Sequence, residues 1–472
     1  MEKRNNSLTL YENAKSLVNG MTTEDKISYI TYLFSPILFF NTNDNKSWIK
    51  YLVNFVDNYN PEIFVQVTKL AATFNTELIH QYFHTLLKLN RLCEKDFDNI
   101  LNKLILQRIN SCEFDTDEIK SNMNIAIDID ESTGIEDIEK KIIAESIVLL
   151  KNNGVLPLSK EKINKIAIIN ISDSDDLKVI NKTTIMDVFN AVSPHMDVMC
   201  TEVNVSDSIL EEQISKVVSK AGEADIAVFV VDLVNKGIMQ EDQIVDIHKI
   251  RTEVIEKVCR VDKPIILLNF TDLIGDLTYS LNMYDAVFQC WHSSQHVLEV
   301  IAGMIFNDYK PTGKLPVSLY TNIDKPLKTN NSKTLVYPFG YGLNYSNIEY
   351  YRIYLSHGKI KAGEDITVTI FLKNKGKYDT KDVVQIYLSD EESSVVQPVW
   401  KLVAIKKVLL PVDEEVKVSL TIESKYMALI NKNGDKVIES GRFSLYVGGG
   451  QPDDTTAELY NRDCLHIGFL VE

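Results

Sequence analysis

Two uninterrupted aliphatic runs, Ala227–Val231 (AVFVV) and Ile265–Asn269 (IILLN), constrain most tightly what this chain can fold into. A strand with one wet face alternates apolar and polar residues, whereas a run apolar at every position asks for cover on both faces, as inside a parallel sheet flanked by helices. The neighbouring segments agree. Between about 136 and 320, strand-like runs at Ile166–Asn170, Val198–Val203, Asp225–Val231, Pro264–Asn269, Ala286–Cys290 and Leu315–Leu319 alternate with helical patterns. Those patterns lie at Glu136–Leu150, Ser208–Ala221, Lys249–Arg260 and Gln295–Phe306. This alternation is the order of βα units around a largely parallel sheet.

After Asn344 the period changes. Asp365–Leu372, Asp382–Leu388, Lys401–Leu410, Glu415–Ile422 and Arg442–Val447 alternate or run β-branched, punctuated by Lys-Asn-Lys-Gly and Asn-Gly turns, and predict an all-β sandwich. Residues before 120 read mainly as helix. Lys26–Phe40 is apolar at mixed spacing, and Phe97–Ile109 puts Phe97, Ile100, Leu101, Leu104, Ile105 and Ile109 near one face. The polar stretch Asp115–Thr133 is the best linker. At 472 residues the chain exceeds the ~250–300 at which a single core stops growing. The expected architecture is multidomain: a small helical part over 1–125, an α/β sandwich with a mostly parallel sheet over 135–325, and a β-sandwich over 345–472.

The formal charge of −16 repels polyanions, and no Lys/Arg stripe offsets it, so nucleic acid and anionic membrane are not expected partners. The opening MEKRNNSLTLYENAKS holds no 7–15-residue apolar core of a secretory signal, and no later run reaches the ~18 apolar residues of a spanning helix. A cytoplasmic location is the expectation. Six cysteines, at 93, 112, 200, 259, 290 and 464, form no CxxC pair, which fits unlinked thiols and no zinc site.

Three segments carry a family resemblance: Ala144–Leu158 (AESIVLLKNNGVLPL), Gly313–Ser318 (GKLPVS) and Val336–Ser346 (VYPFGYGLNYS). In this order and at these spacings they resemble the C-terminal half of glycoside hydrolase family 3, which includes β-glucosidases and β-xylosidases. Asp382–Leu410 and Ser440–Gly449 resemble the fibronectin type III-like domain that ends many of its members. Near the start, Ala14–Ile27 is similar to the family's opening helix and Leu70–Leu78 to a segment early in its catalytic barrel. Ile100–Asp115 resembles the helix that closes that barrel. A (β/α)8 barrel needs ~250 residues, yet only residues 79–99 separate Leu78 from Ile100, fewer than the ~30 of one βαβ unit. The expectation is that the barrel is missing and a small helical remnant stands in its place.

Retaining glycosidases work with two carboxyl groups ~5–5.5 Å apart, one nucleophile and one acid/base. The resemblance implies a nucleophilic Asp in a Ser/Thr-Asp-aromatic or Ser/Thr-Asp-Ala context and a sugar-holding Lys-His pair. No Ser-Asp or Thr-Asp pair here has the family's following residue, and no Lys precedes any of the eight histidines. Thr271-Asp272 follows the IILLN strand and reads as a turn or helix cap. The family's acid/base Glu often comes from the loop after the Asp225–Val231 strand. Glu241 and Asp242 fall near that place, but Arg251 stands where the family has Gln and the sugar-contacting Asp-Arg pair is absent. They are weak catalytic candidates, with loop or helix N-terminal charge as the competing reading.

Trp291 and His292, at the family's aromatic segment after a strand, are weak substrate-binding candidates. His292 with Ser293 lacks a positioned acid for a triad, and His292 with His296 lacks a third metal ligand. Gly448–Gly450 is no phosphate loop, since no Lys-Ser/Thr or helix follows. Tyr337, Tyr341, Tyr345, Tyr350, Tyr351 and Tyr354 could stack on sugars, and interdomain packing is the stronger expectation. No cofactor and no metal are expected. The combined reading is a β-glucosidase-like protein of this family, degenerate and non-catalytic, with a carbohydrate-binding or regulatory role. Alternatives are an active glycosidase using a barrel from another chain, and an assembly scaffold. Loss of the barrel exposes an apolar face, so the remnant helices, a second copy or a barrel-containing partner is expected to cover it.

Overall fold

The computed structural model describes residues 12, 15–16, 18–33, 72–89, 93, 95, 98, 101–102, 134–172, 182–204, 210–232, 252–270, 281–291, 296–320 and 335–472. Two compact units divide the chain, Met1–Ile142 and Ile143–Glu472.

In the first unit the described elements are helices. Helix α1 (Thr23–Leu33) opens on a capping box, in which Thr22 Oγ1 accepts from the Asp25 amide at 3.1 Å and Asp25 Oδ2 accepts from the Thr22 amide at 2.9 Å. Helix α2 (Thr76–Lys88) is capped by Asn75, whose Oδ1 accepts from the Leu78 amide at 3.1 Å. Ile79, Tyr82, Phe83 and Leu86 repeat at helical spacing and are buried, as are Ile27, Tyr29 and Ile30 of α1. His80 is fully buried 3.0 Å from Glu24, and burial holds its imidazole below its ordinary value against that carboxylate. Most of Phe97–Ile109, residues 34–40 and the Asp115–Thr133 linker lie outside the described residues.

Helix α3 (Ile135–Ser146) spans the boundary and leads into a six-stranded sheet. Its strands are β1 (Val148–Asn152), β2 (Lys165–Ser172), β3 (Asp197–Asn204), β4 (Ile226–Asp232), β5 (Ile265–Asn269) and β6 (Ala286–Gln289), in the order β1-β6-β5-β4-β2-β3. Five run parallel, and β1 pairs antiparallel with β6 at the edge. Ile166, Ile168, Val228, Val230, Ile266 and Leu268 face one apolar cluster with helices α4 (Lys182–Val192) and α6 (Val297–Ile305). On the opposite side Phe229, Val231 and Leu267 are equally buried. Helix α5 (Leu210–Glu223) and a helical stretch at 252–259 connect the strands between. Double burial is what the uninterrupted aliphatic runs require, each such side chain contributing ~1.5–3 kcal/mol.

Two local expectations are corrected. The helix expected over Glu136–Leu150 stops at Ser146, whose hydroxyl bonds back to Ile143 O at 3.0 Å, and the Val148-Leu149-Leu150 run becomes edge strand β1. Ladder hydrogen bonds to β6 and burial on both faces override its helical pattern. The strand expected at Leu315–Leu319 does not join the sheet. Only Leu319 pairs there, in a two-stranded ribbon of β7 (Leu319–Tyr320) with β8 (Leu335–Tyr337). Helix α4 is an addition to the helical patterns named above.

The sandwich follows. A three-stranded sheet, β14-β11-β9, is built from β9 (Ile348–Leu355), β11 (Ile366–Asn374) and β14 (Glu415–Ile422). A five-stranded sheet contains β10 (Lys359–Ile360), β12 (Thr380–Asp390), β13 (Lys401–Leu410), β17 (Gly441–Gly448) and β18 (Leu465–Val471), in the order β10-β18-β17-β12-β13. A short β15–β16 ribbon (Leu429–Ile430, Lys436–Val437) and helix α7 (Asp454–Tyr460) complete it. Strand β11 shows the period-two logic: Ile366, Val368, Ile370 and Leu372 enter the core. Between them Thr367 and Thr369 face outward and meet Thr421 and Ser419 across the ladder at 3.3 and 3.0 Å. Strands β9 and β18 were not read from the sequence.

Candidate functional site

A sheet ordered β6-β5-β4-β2-β3 reverses its winding between β2 and β4, and open α/β sheets bind ligands beyond the carboxyl ends of their strands at such a point. Buried amides approach that edge: Asn170 on β2, Asn269 on β5 and Gln289 on β6. Asn269 donates to Gln289 Oε1 at 2.7 Å, and Gln289 donates to Cys290 O at 3.0 Å, so these amides brace the strand ends. The segments following the five parallel strands (173–181, 205–209, 233–251, 271–280 and 292–295) lie outside the described residues. Glu241, Asp242, Thr271, Asp272 and His292 therefore fall outside them too.

Trp291, just past β6, is 9% exposed, and its indole N–H donates to Ser146 O at 2.9 Å. Its polar edge thus ties the strand end to α3 and is not offered to a ligand. His296 precedes α6 with Nδ1 3.6 Å from Glu299. Among the described residues no group of three or more His, Cys, Asp or Glu is arranged to hold a metal ion, and no helix is long and apolar enough to cross a membrane.

A second place, found only in three dimensions, lies where the α/β layer meets the sandwich. There the three family-like segments converge. Gly313 sits so close to the end of α3 that a Cβ would stand 2.5 Å from Ile147 O and 2.7 Å from Ser146 O. Gly342 is pressed against Gly313 O in the same way. Gly340 holds φ +76°, and its carbonyl accepts from Gln385 Nε2 at 2.9 Å, while Tyr387 donates to Gln385 Oε1 at 2.6 Å. Leu343 bonds the β1 backbone through Leu149 O at 2.8 Å. The tyrosines mostly pack: Tyr341 donates to Leu150 O at 3.2 Å and Tyr345 to Met304 O at 2.9 Å, and burial pushes both phenols up. Tyr354, by contrast, is 51% exposed on β9.

The centre of this junction is charged. Lys314 of the GKLPVS segment lies 2.9 Å from Asp382 on β12 of the sandwich, each side chain only 3% exposed. Lys314 also donates to Gly342 O at 2.8 Å and to Tyr460 Oη at 3.3 Å, and Tyr350 donates to Asp382 Oδ2 at 2.9 Å. Burial pushes the Lys314 ammonium down, but the Asp382 carboxylate and Tyr460 outweigh it and hold it above its ordinary value. Beside this pair, Glu145 of α3 accepts from Lys381 at 2.8 Å and stands 3.1 Å from Lys407. Burial keeps the Lys407 ammonium below its ordinary value despite Glu145.

Lys314, Gly342 and Asp382 line a cleft of about 450 Å³ together with Asn152, Asn344, Tyr345, Tyr378, Tyr460 and Arg462. That is the size of a small-molecule site. Asp382 is the one carboxylate among the described lining residues, and Lys314 and Tyr350 engage it. A carboxylate so held acts as the charge partner of Lys314. Lys314 and Asp382 lie inside two of the family-like segments, but nothing in their spacing pairs them, and Arg462 belongs to no motif.

Comparison with known proteins places these features. The glycosyl hydrolase family 3 C-terminal domain matches residues 147–345, and the fibronectin type III-like domain matches 382–451. A putative beta-xylosidase from Formosa agariphila is 29% identical over 395 residues, which are 77% of this chain and 51% of that one. A periplasmic beta-glucosidase from Salmonella typhimurium is 26% identical over 264 residues, 50% of this chain and 34% of the relative. The crystal structure of a beta-glucosidase from Listeria innocua in complex with isofagomine superposes with a TM-score of 0.57 at 20% identity. It covers 89% of this chain and 62% of its own, and shares the fold. The chain spans about half the length of the curated relatives it matches. The two domain matches fall on the two layers whose junction these segments build: the chain carries a glycosyl hydrolase family 3 C-terminal domain followed by a fibronectin type III-like domain.

Proposed function

We propose that this β-glucosidase/β-xylosidase-like chain is a degenerate, non-catalytic member of its family with a carbohydrate-binding or regulatory role. One observation carries the reading. Only residues 79–99 lie between the segment resembling an early piece of the barrel and the segment resembling its closing helix, and 79–89 of that interval belong to helix α2 and its end. A (β/α)8 barrel of ~250 residues cannot be housed there, and with it goes the scaffold that holds the nucleophilic Asp. The engaged state of Asp382 supports the same reading, since no other carboxyl stands among the described lining residues of the cleft.

The purified chain, given aryl β-glucoside and aryl β-xyloside, is expected to show no turnover above a heat-denatured control. Calorimetric titration with glucose, cellobiose and xylobiose is expected to show saturable binding. Turnover by the chain alone ends the proposal, and turnover that emerges only on mixing with a barrel-containing protein replaces it with a shared active site. Absence of binding to all three sugars removes the carbohydrate role and leaves a scaffold.

A further inference from the structure

The junction cleft presents cations that the fold does not neutralise. Helix α7 ends at Asn461 in the left-handed conformation (φ 52°, ψ 39°), and the following amide, that of Arg462, folds back to Ala457 O at 3.0 Å. This tight exit sets the Arg462 guanidinium over two rings, 5.2 Å from the Tyr350 centroid and 5.4 Å from that of Tyr460. Stacking occupies the faces of a guanidinium and leaves its N–H edges to donate. Among the described residues no carboxylate or carbonyl accepts from those edges. Lys377, an exposed lining residue after Gly376, likewise has no acidic partner among the described residues.

The other charges lining the cleft, Lys314 and Asp382, cancel as a buried pair. What remains is a positive cleft on a chain of formal charge −16. Several other cations of the sandwich are matched, among them Lys359 to Glu472, Lys375 to Glu349 and Lys425 to Glu423. A ring-stacked guanidinium with open donor edges fits the two oxygens of a carboxylate or phosphate in bidentate fashion, which an ammonium cannot do. Asn344, whose Oδ1 accepts from the Ser346 amide, keeps its Nδ2 for a ligand, and Tyr378 lines the same cleft beside it.

From this arrangement we infer that the cleft between the α/β layer and the sandwich binds a small hydroxylated organic anion, its carboxylate or phosphate held by Arg462 with support from Lys377. The inference uses the cleft alone and does not depend on whether the chain hydrolyses or binds neutral sugars.

The test is calorimetric titration of the full chain with glucuronate, glucose 6-phosphate and inorganic phosphate, with glucose as the uncharged control. Binding of glucuronate or glucose 6-phosphate well above that of glucose is expected, and their ratio shows whether a carboxylate or a phosphate is the preferred group. Arg462→Met keeps the stem over the rings and is expected to weaken that binding about tenfold or more. Lys377→Gln, at an exposed position that does not bear on folding, is expected to weaken it about threefold. Binding of none of the anions, binding of glucose equal to theirs, or unchanged affinity in both variants overturns the inference. Saturation by inorganic phosphate alone, with neither sugar anion bound, overturns it as well.

Discussion

The junction between the two layers and the outer rim of the sandwich use the same residue types to opposite effect. At the rim, Lys359 and Glu472 meet at 2.7 Å with side chains 66% and 57% exposed. At the junction, Lys314 and Asp382 meet at a similar distance with 3% exposed. In water the first pair exchanges one solvated arrangement for another and contributes little. The second has given up its hydration, so each charge depends on its partner and on the Tyr350, Tyr460 and Gly342 groups around it. Burial, rather than distance, separates a decorative pair from one that couples two layers.

The largest expected effect breaks that comparison directly. Asp382→Ala leaves Lys314 buried and uncompensated and is expected to lower stability by about 3–5 kcal/mol in urea unfolding, while Lys359→Ala gives no resolvable change. Replacing both junction partners with apolar residues of similar volume, Lys314→Met with Asp382→Leu, is expected to recover most of the loss. Equal effects from the buried and the exposed substitution would erase the distinction. A smaller loss, about 1–3 kcal/mol, is expected from Gly313→Ala, because the added methyl meets the backbone oxygens of Ser146 and Ile147 that α3 cannot move aside. The same change at Gly358, where a Cβ meets nothing within 4 Å, sharpens the contrast.

The smallest effect lies at neither place and is read as a pH dependence. Asp225 accepts from the Asn164 and Lys165 amides at 2.8 and 2.9 Å, and these bonds hold its carboxyl below its ordinary 3.8. A carboxyl lowered on folding contributes stability that is present above its unfolded value and is lost as pH falls through the folded one. Asp225→Asn is therefore expected to lower the urea midpoint slightly at neutral pH and to flatten its fall below pH 3.8, where the advantage of the charged carboxyl disappears. Superimposable acid arms would show that the two amide bonds do not favour the charged form.

Much of the fold was legible because its signals are local. The AVFVV and IILLN runs announce strands covered on both sides, and the alternation in Ile366–Asn374 announces a half-wet strand. Strand β1 was misread as helix because Val148-Leu149-Leu150 is apolar at every position, a pattern that suits either state until β6 supplies a ladder. The candidate site was legible only in part. Ser146, Gly313 and Gly342 stand out as segment residues, yet their closeness to one another is a fact of packing and not of spacing.

Composition and hydrophobic period by themselves determined an α/β layer followed by a β-sandwich, and the interval 79–99 by itself set how little room lies between the two barrel-like segments. Tertiary structure alone decided that Lys314 meets Asp382, that the indole of Trp291 is spent on Ser146, and that Arg462 faces a cleft. The reason is physical: periodicity reports which face of an element avoids water, whereas the partner of a buried charge is chosen by layers folding together from residues far apart in the chain.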